Sequence, residues 1–104
     1  MNDYVTDWIS SLFKAISHPL RLEIVTYLAD GEKCVLDIMK ALDSEASNTS
    51  QHLTVLRNAG VLVRRKQGTF YYYSIKQPEC IEIIKTAQRM VERQIGEVSQ
   101  ALNR

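Results

Sequence analysis

The stretch Ala46-Ser47-Asn48-Thr49-Ser50-Gln51-His52-Leu53-Thr54-Val55-Leu56-Arg57-Asn58-Ala59-Gly60 decides how the rest of the chain reads. Its first half is a run of short and medium polar side chains. Its second half is apolar at Leu53, Val55 and Leu56, and Gly60 closes it. This is the pattern of a helix over 46–59 with a polar N-terminal end and a packed C-terminal one. Just upstream, Val35, Ile38, Met39 and Leu42 are spaced as the inward face of a short helix, and Asp43-Ser44-Glu45 is a brief polar turn. Two short helices joined by about three polar residues make a helix-turn-helix, expected here over about 35–59.

Further toward the N-terminus, Tyr4, Val5, Trp8, Ile9, Leu12, Phe13 and Ile16 fall on one face of a first helix, about 3–17. His18-Pro19 interrupts it, because proline disfavours a helical residue before itself yet suits the first turn of the next helix. Leu20, Ile24, Val25 and Leu28 stripe that second helix, and Asp30-Gly31 ends it with a left-handed glycine cap. Downstream of Gly60 the period changes. Val61-Leu62-Val63 leads into Arg64-Arg65-Lys66, Gln67-Gly68 signals a turn, and Thr69 to Ile75 is rich in strand formers. A β-hairpin with a basic tip is expected over about 61–75. Pro78 opens a last helix, about 78–102, whose apolar positions Ile81, Ile84, Val91, Ile95, Val98 and Leu102 form a narrow seam suited to another helix.

The net charge of +1 hides an uneven distribution. Residues 1–45 carry four cations against eight acids, and residues 79–104 carry four of each. Residues 46–78 carry Arg57, Arg64, Arg65, Lys66 and Lys76 with no acid. A basic block confined to one third of a chain is the footprint of a phosphate-binding surface. The length of 104 residues suits one domain spanning 1–104, and a core this small gains from a second subunit. No apolar run approaches the roughly 18 residues that cross a bilayer, and the polar, acidic start is unlike a signal peptide, so a cytoplasmic location is expected.

With these segments in order, the chain resembles the ArsR/SmtB family of winged helix-turn-helix repressors. The matching residues are Ala15 to Ile24, Gly31 to Ile38, Thr49 to Leu62 and the hairpin Arg64 to Tyr73. The resemblance covers about residues 12–75. It implies a mainly α fold with a β-hairpin wing: four helices, two strands and a last helix. It also implies a homodimer paired through the first and last helices, reading an inverted-repeat operator in double-stranded DNA.

The fourth helix supports that reading on its own chemistry. A recognition helix enters the major groove with its N-terminal end near base edges and phosphates. Asn and Gln pair bidentately with adenine, and Ser and Thr bond base edges or backbone. Ser47, Asn48 and Gln51 are therefore expected to read bases, and Thr49 and Ser50 to contact the backbone. His52 can face the core or the DNA, with a structural role preferred. Arg57 is expected to touch phosphate or brace the wing. Arg64, Arg65 and Lys66 offer cations to phosphates or the minor groove, though strand alternation puts Arg65 on the opposite face from the other two. One or two of Tyr71, Tyr72 and Tyr73 are expected to pack the strand onto the helices.

The signal is the open question. The soft-metal branch of the family carries a Cys-Val-Cys run on the third helix with a third thiol beyond it. Here Cys34-Val35-Leu36-Asp37-Ile38-Met39 keeps one thiol, too few to close a thiolate site. The zinc branch uses Asp and His pairs on the last helix, and this one has neither. No bound metal or cofactor is expected. Cys34 and Cys80 remain as a redox or ligand-sensing pair, with Lys33 and a helix N-terminus placed to lower the Cys34 pKa. A metal-responsive repressor with an atypical site, or a regulator with no inducer, stays open. No Gly-rich phosphate loop, His-Glu metal motif or nucleophile elbow occurs, so no enzyme is expected.

Overall fold

The computed structural model describes residues 1–103. Helix α1 (Asp3–Ile16) starts on Asn2, whose side chain accepts the Val5 N–H. Helix α2 (Pro19–Tyr27) starts on His18, whose Nδ1 accepts the Leu20 N–H at 3.1 Å, with Pro19 in the first turn where no N–H is needed. The second helical segment stops earlier than its apolar stripe suggests. It ends at Tyr27 and tightens into a 3₁₀ turn, Leu28–Asp30, that keeps Leu28 in the core. Gly31 follows at φ 142°, outside the left-handed cap geometry expected of it.

Strand β1 (Lys33–Cys34) leads directly into helix α3 (Val35–Leu42). Asp43, left-handed at φ 49°, ends α3, and helix α4 (Ala46–Asn58) begins three residues later. Strands β2 (Leu62–Gln67) and β3 (Phe70–Ile75) form the hairpin, and helix α5 (Glu79–Leu102) closes the chain. The hairpin turn is Gly68-Thr69 rather than Gln67-Gly68. Gly68 takes φ 63° and Thr69 does not, which is the requirement of a two-residue loop with glycine in its first position.

The sheet has three strands rather than the expected two. The order is β1-β3-β2, antiparallel throughout, with Cys34 opposite Tyr72 and Arg65 opposite Tyr72 on the other side. A two-residue strand leaves no periodic signature, so β1 is visible only once β3 offers it a free edge.

From α2 onward every element except β1 contributes a fully buried or nearly buried apolar side chain to one core: Ile24, Val25, Leu28, Ile38, Leu53, Leu56, Leu62, Tyr73 and Cys80, with Val61 just before β2. Ile16, the last residue of α1, joins them. The flanks differ. Trp8 is 76% exposed and Tyr4 79%, and on α5 every residue from Lys85 to Leu102 is exposed. Among the described residues no helix is long and apolar enough to cross a membrane.

Candidate nucleic-acid interface

Helix α4 divides its circumference cleanly. Thr49, Leu53 and Leu56, spaced four and three apart, form the buried row. Ser47, Asn48, Ser50 and Gln51 lie on the exposed arc of the first two turns. Glu45 precedes the helix in extended conformation and makes no side-chain cap, so the N-terminal end keeps free N–H donors facing outward. This gives a polar, donor-rich end of one helix with no acid in its first turn, suited to bases and phosphate oxygens.

Thr49 corrects the expectation of a backbone contact. It is 0% exposed, its Oγ1 donates to the Glu45 carbonyl at 2.8 Å, and it shares a hydrogen bond with Ser44 Oγ. The hydroxyl ties the turn to the helix and is out of reach of DNA. A position four before Leu53 lies on the buried row, which was legible from spacing alone.

His52 turns inward. It is half-buried, and its ring lies 4.2 Å from that of His18, joining two residues 34 positions apart. Its Nδ1 is buried without a hydrogen-bond partner. Burial, then the neighbouring His18 and Arg21, holds its imidazole below the ordinary pKa. Arg57 sits half-buried in the last turn of α4, where a cation complements the helix dipole.

The hairpin sorts its three cations by face. Arg64 stacks over Tyr71 at 4.2 Å and Lys66 approaches the same ring at 5.7 Å. Leu62 and Tyr73 occupy that face nearer the core, and α4 packs against β2. Arg65 lies on the opposite face, over Tyr72 at 4.7 Å. There its Nε and Nη2 donate to both carboxylate oxygens of Glu32, at 2.8 and 2.7 Å, and Nη1 donates to Gln67 Oε1 at 2.7 Å. Each partner favours the other's charged form: Glu32 is held below the usual carboxylate range and Arg65 is raised. Sequence reading missed Glu32, Gln67 and His18. Strand alternation sets Arg65 apart, but its partner is 33 residues away, in the turn before a strand too short to foresee. Of the tyrosines, Tyr73 is buried and Tyr71 and Tyr72 are half-buried platforms for the cations.

Cys34 and Cys80 are both free thiols. Cys34 is half-buried as the residue before α3. Cys80 is 4% exposed, and burial together with Glu79 raises its pKa. The Lys33 ammonium lies 2.6 Å from Asp30 and over the Tyr27 ring. Among the described residues no three His, Cys, Asp or Glu side chains cluster as a metal site.

This arrangement, a helix-turn-helix followed by a basic hairpin, defines a winged-helix DNA-binding regulator. Residues 18–63 match the family model for bacterial regulatory proteins of the arsR family. The chain is 33% identical over 89 residues to Rv0081, an uncharacterized HTH-type transcriptional regulator of Mycobacterium tuberculosis, covering 85% of this chain and 78% of that one. The crystal structure of Rv0081 superposes with a TM-score of 0.80, at 30% identity over 92% of this chain and 97% of that one. The arsenical resistance operon repressor of Escherichia coli is 43% identical over 65 residues, 62% of this chain and 56% of that protein. A homodimeric winged helix-turn-helix DNA-binding domain, Mb0332 from Mycobacterium bovis, superposes with a TM-score of 0.81 at 25% identity, covering 93% of each chain. The chain belongs to the arsR family of bacterial regulatory proteins. It is a transcriptional regulator; its fold and relatives are not those of enzymes.

Proposed function

We propose that the chain is a repressor that binds an inverted-repeat operator as a homodimer, with the first two turns of α4 in the major groove and the hairpin against the flanking backbone. The observation that carries this is the exposed arc Ser47, Asn48, Ser50 and Gln51 at an uncapped helix end, beside a hairpin whose helix-side face presents Arg64 and Lys66. Ser47, Asn48 and Gln51 read bases; Ser50 and the N–H groups of the first turn hold phosphate. Two such helices related by a twofold axis read half-sites one helical turn apart.

The dimer is supported by what α1 and α5 leave uncovered. Val91, Ile95, Val98 and Leu102 are 50–79% exposed on a helix segment in which every residue from Lys85 to Leu102 is exposed. A lone helix of that length is marginal in water, and packing an apolar seam against a partner stabilises it. Trp8, Tyr4 and Val5 line a groove of about 550 Å³ between α1 and the end of α4, a second apolar surface for the partner subunit. Mb0332, with the same fold, is homodimeric. Such a repressor works beside the DNA in the cytoplasm.

Cys34 and Cys80 are the two free thiols through which an oxidant would release the operator. Cys80 is buried with a raised pKa, and the thiolate is the reacting form. Fluorescence anisotropy on labelled DNA from upstream of the gene tests the whole. Salt-dependent binding, with sedimentation giving a dimer at micromolar concentration, is the expected result. Cys34→Ser and Cys80→Ser variants, assayed with oxidant, arsenite, zinc and cadmium, test the signal. Equal affinity under every condition would leave a regulator without a thiol or metal inducer.

A further inference from the structure

The uneven fate of the three hairpin cations goes beyond the proposed function while resting on its DNA-binding reading. Arg65 uses Nε, Nη1 and Nη2 on Glu32 and Gln67 and lays its plane over Tyr72. Glu32 belongs to neither the hairpin nor α4; it lies in the turn between the 3₁₀ segment and β1. The contact therefore ties the outer strand β2 across β3 to the first half of the chain. Beyond the Cys34–Tyr72 pairing the hairpin continues as a two-stranded ribbon, which is marginal without a further anchor. A bidentate guanidinium–carboxylate contact fixes distance and angle together, which a single ammonium contact does not. On the other face, Arg64 and Lys66 have no ion-pair partner among the described residues and share the side of the sheet against which α4 packs.

We infer that Glu32 and Arg65 form a strut that sets the angle of the wing, leaving Arg64 and Lys66 as its two DNA-facing cations. Glu32 is then a positioning residue for DNA binding although it carries the charge that DNA repels. Arg65 contributes orientation and no counterion release.

The salt dependence of affinity separates a strut from a phosphate contact, because each neutralised phosphate adds about 0.9 to the slope of log K against log salt. The probe is a labelled duplex from upstream of the gene, titrated from low to moderate salt. Arg64→Gln and Lys66→Gln are expected to lower the slope by about one each. Arg65→Gln and Glu32→Gln are each expected to weaken binding about two- to fivefold, the scale of one exposed ion pair, at unchanged slope. The double variant Glu32→Gln/Arg65→Gln is expected to bind no more weakly than either single one, since both remove the same contact. A slope lowered by one in Arg65→Gln, with tighter binding by Glu32→Gln, would overturn the strut and make Glu32 a competitor for a phosphate-binding Arg65. A wild-type slope near zero would instead overturn the DNA-binding reading, and the strut with it. Far-UV circular dichroism and unfolding midpoints confirm that each variant is folded, so that a lost slope is read as a lost contact.

Discussion

The body of the molecule and its flanking helices obey different rules of burial. Between Ile16 and Ile84 most large apolar side chains find the core, and Ile24, Val25, Ile38, Leu53 and Leu56 are completely covered, with Leu22, Leu36, Val63 and Phe70 left exposed. In α1 and the distal part of α5, spacing just as regular leaves Tyr4, Trp8, Ile95 and Val98 in the open. Periodicity records that a face is meant to be covered; it does not record whether the cover comes from the same chain. The contrast is the physical argument for a second subunit, and it can be broken by substitutions on either side.

The largest effect is expected in the body. Leu53→Ala leaves a cavity beneath α4 and should cost about 2–5 kcal/mol of unfolding free energy. Chemical denaturation at several protein concentrations checks it. The loss should have the same size in a monomeric background, because the contacts are internal. On the flank, Ile95→Asp places a charge in the exposed seam. It is expected to leave the body folded and to weaken dimer association by about 2 kcal/mol per subunit, the burial free energy of one apolar side chain. Sedimentation equilibrium measures this, and an unchanged association would remove α5 from the interface.

A smaller effect separates the two rows of α4. Thr49→Val keeps the shape and deletes the hydroxyl that holds Glu45 and Ser44. It should cost about 1 kcal/mol of stability and leave the salt slope of DNA binding unaltered. The smallest effect concerns pH. The folded state holds the His52 ring below its ordinary pKa, so folding favours the neutral form. Its contribution is complete above about pH 6.5 and declines as pH falls below that value, where the unfolded chain takes up the proton first. Denaturant midpoints at pH 7.5 and 5.5 should separate more in the wild type than in His52→Gln.

Much of this was legible in the sequence, for reasons that differ by residue. The helix-turn-helix was legible because Val35, Ile38, Met39 and Leu42, then Leu53 and Leu56, carry the helical period across a three-residue turn. The hairpin was legible because aromatic strand formers follow a glycine turn. The fold was less legible where structure depends on a distant partner. Strand β1 exists because β3 offers an edge, and Glu32 matters because Arg65 arrives beside it from 33 residues away. His18 and His52 meet because α2 crosses α4, which no local pattern announces. Thr49 was misplaced by grouping it with its polar neighbours in sequence instead of with Leu53 and Leu56 on its helix face.

The central claim is that two copies of α4, with their wings, read one face of a DNA duplex. Hydroxyl-radical footprinting of the DNA upstream of the gene tests it most directly. The expected result is two protected patches, symmetric in sequence and about one helical turn (~10 base pairs) apart, lost together in Asn48→Ala/Gln51→Ala. A single protected patch, or protection that survives that double substitution, would contradict it.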